Sequence, residues 1–285
     1  MDPRIVSLYN DYIHGDMPRR EFFRRAAELA GGAAAAAAAI QLLEPDYALG
    51  QQVDPADDRL ETSTVTYRGT TGDVRGYLAR PRDLQGKAPG VLVIHENRGL
   101  NAHIKDVARR TALAGWVALA PDGLSYVGGA PEDQEEARDK FGQADREVIT
   151  GDVIAGLPYL AGREDCTGRV GTVGFCYGGG VSLQCAAREA AVAASVCFYG
   201  GALAGDEVAA VKAPLMMHYA GEDERINAGI PAFRTALDEH GVSYSIHMYP
   251  GTGHGFHNDT SSARYDPEAA SLAWKRTMRF FEDFL

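Results

Sequence analysis

Short apolar runs alternate with amphipathic stretches along most of this 285-residue chain. From about Thr62 onward the apolar runs have the length and β-branched character of buried strands, and the stretches between them repeat every 3.6 residues as helices do. This alternation predicts a mostly parallel sheet covered by helices on both faces. The predicted strands span residues 64–67, 74–79, 91–95, 117–120, 170–174, 194–199, 215–219 and 244–249, and the predicted helices span 103–114, 149–160, 230–240 and 268–285.

Residues 1–50 differ from the rest, and two interpretations of them stand side by side. Arg19 and Arg20 precede a weakly apolar segment with an alanine run, as in a twin-arginine export signal. Ala48 and Gly50 would then be the −3 and −1 positions of a cleavage site. The alternative is an amphipathic helical extension that packs on the main domain. We therefore divide the chain into an extension, 1–50, and a catalytic domain, 51–285. An export signal would place the protein in the periplasm, and a packed extension would leave it in the cytoplasm.

Composition and charge narrow the possible partners. The formal net charge of −11 argues against nucleic acid, whose binding needs clustered cations. No apolar run is long enough to cross a bilayer. The four cysteines form no CxxC pair and no disulfide framework, so we predict no metal and no cofactor. The expected partner is a small-molecule ester or lactone, bound by a monomer or small homo-oligomer.

The most informative segment is a predicted strand that ends in Gly174-Phe175-Cys176-Tyr177-Gly178 and leads into a helix. This pattern matches the nucleophile elbow of the α/β-hydrolase fold, with cysteine in place of serine. The sharp strand-to-helix turn strains the backbone at the nucleophile, and side chains two residues to either side would collide with it. The turn also places Cys176 at the positive end of the following helix, which favours a thiolate.

In this fold the acid and then the base follow the nucleophile along the chain. Asp223 lies in the loop after the strand 215–219 and is our predicted acid, with Glu222 and Glu224 as rivals. His254 lies between glycines in the loop after the last strand and is the predicted base. His254 would accept the thiol proton, and Asp223 would hold the imidazole in the correct tautomer.

The loop after the strand 91–95 supplies the remaining candidates. The backbone N–H groups of Asn97 and Tyr177 are the expected oxyanion hole. Glu96, at the end of this strand, is placed to influence ionisation of the thiol.

From about Thr62 to Leu285 the chain resembles the dienelactone hydrolases, also called carboxymethylenebutenolidases. The resemblance rests on the elbow, on Glu96 with Gly99 and Asn101 behind it, on residues 118–122, and on the loop around His254. It implies a triad of Cys176, Asp223 and His254, with Glu96 holding the resting thiol.

One position departs from the family. The resemblance implies an arginine a few residues after the catalytic histidine that binds the substrate carboxylate, but this chain has Asn258 there. Arg98 is the predicted substitute for substrate binding.

Other classes of function remain as alternatives. Nucleotide binding fails because neither Gly-rich phosphate motif is present. A metal-dependent hydrolase would use His254, His257 and Asp259. A thiol redox sensor, or a non-catalytic protein on the same fold, would lack turnover of a small aryl ester.

Overall fold

The structure is a computed structural model that describes residues 2–15, 17–46 and 50–285. Its centre is an eight-stranded sheet with the order β1-β2-β4-β3-β5-β6-β7-β8. The first three neighbours, β1, β2 and β4, pair antiparallel, and all later pairs are parallel. The strands are β1 Leu60–Arg68, β2 Asp73–Pro81, β3 Ala88–Ile94, β4 Val117–Pro121, β5 Cys166–Phe175, β6 Val192–Phe198, β7 Leu215–Ala220 and β8 Tyr244–Tyr249.

Helices cover both faces of this sheet, as the alternating pattern predicts. One apolar core lies on each face, because strands buried on both sides carry apolar residues in continuous runs. The helices of this α/β body are α4 Ala102–Leu113, α5 Gln134–Gln143, α6 Arg146–Ile154, α7 Gly156–Ala161, α8 Tyr177–Arg188, α9 Gly205–Val208, α10 Glu224–Asn227, α11 Ile230–Glu239 and α12 Pro267–Phe284, with a 3₁₀ turn at Ser125–Val127.

The predicted helix at residues 149–160 is two helices in the structure, α6 and α7, which meet at Ala155. Pro158 explains the break. Proline has no N–H to donate to the carbonyl of Ile154, and its ring clashes with that carbonyl in a continuous helix.

Three helices precede the body: α1 Pro3–His14, α2 Arg19–Ala30 and α3 Ala33–Leu43. We refer to residues 2–43 as the N-terminal segment. Its helices bury a small apolar cluster of their own, in which the ring of Tyr12 stacks on that of Phe22 with centroids 4.3 Å apart. The packed extension is therefore the arrangement that the structure contains, and export stays a prediction.

Polar contacts attach this segment to the body. Arg19 pairs with Glu135 of α5 at 3.0 Å, and Ser261 Oγ donates to the carbonyl of Leu43 at 2.8 Å. Within the described residues no single helix is long and apolar enough to cross a membrane, although α2 and α3 together pass that test as a pair bent by 110°. The predicted cleavage-site residue Ala48 lies outside the described residues.

Candidate active site

The turn between β5 and α8 has the geometry of a nucleophile elbow. Cys176 adopts φ 55° and ψ −116°, a conformation that residues other than glycine rarely take. A Cβ on Gly174 would lie 1.8 Å from the carbonyl oxygen of Gly178, and one on Gly178 would lie 2.5 Å from that of His95. Both glycines are therefore required by backbone contacts, and the turn presents the thiol above the carboxyl ends of the strands.

The loop after β7 holds the candidate acid against the candidate base. Asp223 Oδ2 lies 2.5 Å from His254 Nδ1, and both side chains are almost completely buried. The neighbours Glu222 and Glu224 are exposed. Of the three carboxylates considered from the sequence, Asp223 is thus the one that the structure brings to the histidine.

Electrostatics favour the protonated imidazole here. Burial alone would lower the pKa of His254, but the Cys176 thiolate and the bond to Asp223 outweigh it and raise the pKa to about 9. Burial would likewise raise the pKa of Asp223, and His254 reverses that effect and lowers it. The ligand atoms of Cys176 and His254 lie within 4.8 Å of each other.

A further histidine, which the sequence analysis did not select, completes the surroundings of the thiol. His14, the last residue of α1, has its Nδ1 3.9 Å from Cys176 Sγ. Its ring lies edge-on to that of His254 with centroids 4.5 Å apart. Burial is the main cause that holds the pKa of His14 well below its usual value, and the charge of His254 adds to it. The N-terminal segment therefore contributes a neutral imidazole to the site.

The two candidate oxyanion-hole residues, Asn97 and Tyr177, belong to different segments of the site. Tyr177 is the first residue of α8, so its N–H has no acceptor within the helix. Asn97 lies in the loop after β3, and its side-chain Nδ2 donates to the carbonyl of Ile13 at 2.9 Å. This bond ties the predicted oxyanion loop to α1.

Glu96 and Arg98 have neighbours that the sequence did not indicate. Asn258, at the position where the family resemblance implies an arginine, donates its Nδ2 to Glu96 Oε2 at 2.7 Å. Arg98 is buried, with its Nη2 3.2 Å from the hydroxyl of Tyr9. Arg98 is absent from the lining of the cavity at the thiol, so its position differs from the one expected of a substrate-binding cation.

That cavity has a volume of about 720 Å³ and opens over Cys176 and Tyr177. The N-terminal segment forms one wall, and α5 with the start of α6 forms another. Four arginines line it. Arg19 and Arg138 pair with carboxylates of α5, whereas no carboxylate in the described ranges forms an ion pair with the other two, Arg146 and Arg225.

The alternative metal cluster of His254, His257 and Asp259 does not assemble among the described residues. Asp259 instead bonds Arg110 at 2.5 Å and lies 3.0 Å from His103. The ring of His257 stacks on that of Phe175, with centroids 5.1 Å apart. These side chains therefore serve packing and an internal ion pair.

The sheet order, the elbow and the position of the histidine loop place the protein among the α/β-hydrolases. A family model described as the dienelactone hydrolase family matches residues 74–285. The chain belongs to this family, as its resemblance indicated, and is a hydrolase of that kind. A second model, described as YqhI-like, matches residues 1–31 and so covers α1 and α2.

Known proteins agree with this assignment. A Bradyrhizobium protein named "Probable 2-oxo-3-(5-oxofuran-2-ylidene)propanoate lactonase" is 37% identical over 234 residues, which are 74% of this chain and 90% of that protein. The crystal structure of the dienelactone hydrolase-like promiscuous phosphotriesterase P91 from metagenomic libraries matches with a TM-score of 0.70 and 22% identity, covering 79% of this chain and 99% of its own. The dienelactone hydrolase of Anabaena variabilis matches with a TM-score of 0.63 and 22% identity, over 80% and 99%. At these identities the two structures support the fold.

Proposed function

We propose that the protein hydrolyses a carboxylic ester or lactone through a thioacyl intermediate on Cys176. The observation that carries this proposal is the elbow geometry of Cys176 together with the 2.5 Å contact between His254 and Asp223. A strained nucleophile beside a histidine that a buried carboxylate orients is the arrangement of acyl-transfer enzymes.

In the first half-reaction His254 holds the proton taken from the thiol, and the thiolate sulfur attacks the carbonyl carbon. The oxygen that becomes negative accepts hydrogen bonds from the backbone N–H groups of Asn97 and Tyr177. The C–O bond then breaks, and the leaving alkoxide receives the proton from His254. With a lactone the alkoxide stays attached to the acyl group.

In the second half-reaction water attacks the thioester carbonyl while His254 accepts a proton from it. The C–S bond breaks, the carboxylic acid departs, and the proton returns to the sulfur. Asp223 keeps the imidazole oriented in both steps and stabilises its positive form. Glu96 is proposed to influence the thiol from the side of β3, held there by Asn258.

The cavity's charges suggest where a substrate carboxylate would bind. Arg146 and Arg225 line the cavity, neither forms an ion pair with a carboxylate within the described residues, and arginine binds carboxylates through two parallel hydrogen bonds. Arg98 is covered by α1 through Tyr9. We therefore propose Arg146 and Arg225 as anchors of an anionic lactone, and we retain Arg98 as the competing candidate for the test below.

A panel of lactones and aryl esters, supplied to the purified full chain and to its Cys176→Ala variant, tests the proposal. We expect turnover of at least one lactone and of p-nitrophenyl acetate, and loss of both in the variant. Turnover that survives Cys176→Ala would remove the nucleophile assignment. A thiol that reacts with oxidants while no ester turns over would favour the redox-sensor alternative.

A further inference from the structure

Three side chains that can bind a metal, those of His14, Cys176 and His254, lie close together. One ligand atom each from His14, Cys176 and His254 lies within 4.8 Å of the other two. In a tetrahedral zinc site, with Zn–S near 2.3 Å and Zn–N near 2.0–2.1 Å, sulfur and nitrogen are about 3.6 Å apart. The 3.9 Å between Cys176 Sγ and His14 Nδ1 needs only a small contraction to reach that separation.

The histidine of the body is oriented as a zinc-binding histidine is. His254 Nδ1 bonds the buried carboxylate of Asp223, which leaves Nε2 for another partner. That Nε2 is buried and makes no hydrogen bond in the described part of the chain. Metal-ligating histidines usually bond a carboxylate through the second ring nitrogen, because this fixes the ring and raises its basicity.

We propose that His14, Cys176 and His254 form a zinc-binding site. One thiolate and two imidazoles are a ligand set that zinc prefers, and the fourth position would face the cavity, where water can occupy it. Zinc binds the thiolate and the neutral imidazoles, so the one proton held by the Cys176–His254 pair is released to solvent for each ion bound. His14 distinguishes this site from a bare cysteine–histidine pair, and it comes from the N-terminal segment.

Occupancy has a direct consequence for the chemistry, and this part of the inference rests on the proposed function. A zinc ion bound to these atoms occupies the proposed nucleophile and the proposed base together, so it reversibly inhibits hydrolysis. The N-terminal segment thereby makes the enzyme's activity sensitive to the free zinc concentration.

Cobalt titration of the purified full chain tests the site, because a thiolate bound to Co²⁺ gives a charge-transfer absorption band. We expect one equivalent to bind, zinc to displace it, and the band to be absent in Cys176→Ala. His14→Ala and His14→Gln should each weaken binding by about 10–100-fold, the range seen when even an outer-shell partner is lost. His240→Ala, which removes the exposed histidine just after α11, is the matched control and should bind as the native chain does.

Protection of Cys176 from iodoacetamide, read by mass spectrometry of the peptide, provides the second measurement. Zinc should protect this thiol in the native chain and in His240→Ala at concentrations that leave the two His14 variants reactive. Equal affinity in the native chain and both His14 variants, or a band that survives Cys176→Ala, would overturn the inference. The two proposals fail separately: metal binding that depends on Cys176 in a chain whose ester turnover does not would overturn only the proposed function.

Discussion

The α/β body and the N-terminal segment are stabilised in different ways, although both contribute to one cavity. The body buries an apolar core on each face of its sheet, and its strands form a continuous ladder of hydrogen bonds. The segment has one small cluster and reaches the body through individual polar contacts such as Arg19 with Glu135. The body holds the proposed nucleophile, acid and base, whereas the second imidazole of the site, that of His14, is carried by the less extensively packed segment.

The largest expected effects on kcat come from substitutions in the body. His254→Ala should reduce kcat by a factor on the order of 10⁴–10⁶, since it removes the proton acceptor. Asp223→Asn should cost about 10⁴-fold, because the amide favours the wrong imidazole tautomer. Steady-state kinetics on p-nitrophenyl acetate measures both.

Glu222→Gln and Glu224→Gln are the matched controls, since both side chains are exposed and neither bonds His254 in the structure. We expect each to change kcat by less than about threefold, the size of an ordinary surface substitution of roughly 0.5 kcal/mol. If one of them cost more than Asp223→Asn, the acid assignment would move to that residue.

A buried ion-pair cluster within the body, in which Asp259 joins Arg110 and His103, should contribute strongly to thermodynamic stability. Asp259→Asn leaves His103 without its carboxylate and Arg110 with Asp106 alone, in a site where these side chains are at most 9% exposed. Because the substitution removes charge-assisted hydrogen bonds from a buried cluster, we expect the free energy of unfolding to fall by about 2 kcal/mol. Urea denaturation measures it, with Glu282→Gln, in an exposed pair with Arg279, as a control within about 0.5 kcal/mol.

The pH dependence of this difference has a definite sign. Despite burial, which raises it, the pKa of Asp259 is lowered by the bond to His103 and by Arg110. A carboxyl with a lowered folded-state pKa contributes its stability in full above its unfolded value of about 4 and loses it as the pH falls toward the folded value. The gap between the native chain and Asp259→Asn should therefore be constant near pH 7 and narrow below about pH 4. A gap that widens in acid would contradict this ion pair.

Substrate charge distinguishes the cavity-lining arginines from the buried one. Arg225→Met or Arg146→Met should raise KM for an anionic lactone about tenfold or more, the value of a charge-assisted hydrogen bond of roughly 1.5–3 kcal/mol, while sparing a neutral ester. Arg98→Met should change the KM of both substrates in parallel if its role is to bond α1. A selective loss of anion binding in Arg98→Met alone would return the substrate-binding role to Arg98.

Hydrogen exchange compares the local stability of the N-terminal segment with that of the body. Amides of α2 and α3 should exchange through local opening at a free energy well below that of β5 and α8, because fewer buried apolar contacts hold these helices. Mass spectrometry of peptic peptides measures the two rates. Equal protection in both regions would show that the segment and the body unfold as one cooperative unit.

Much of the body could be predicted because its signals are local in sequence. Apolar runs of strand length mark all eight strands within a few residues, and the glycines of the elbow mark Cys176 because the turn itself requires them. The order of loops after β7 and β8 indicated Asp223 and His254. The sequence pattern predicted one continuous helix over residues 149–160, and this was wrong because the helix breaks at Ala155. Pro158 already indicated that break in the sequence.

The rest depends on contacts between distant residues. His14 and Cys176 are 162 positions apart, and no spacing or composition links them. The same is true of Arg98 and Tyr9, 89 positions apart, whose contact removes the arginine from the cavity. Amphipathic periodicity predicts that α1 packs on something, but not which of its residues reaches the thiol.

Detection of an acyl group on Cys176 is the most direct test of the proposed thioacyl intermediate. The full chain is mixed with p-nitrophenyl acetate and quenched in acid during turnover. It is then digested, and the masses of its peptides are measured by mass spectrometry. We expect one acetyl group on the peptide that contains Cys176, formed and lost at rates consistent with kcat. Turnover with the acetyl group on another residue, or with no covalent adduct in a chain whose deacylation is rate-limiting, would contradict it.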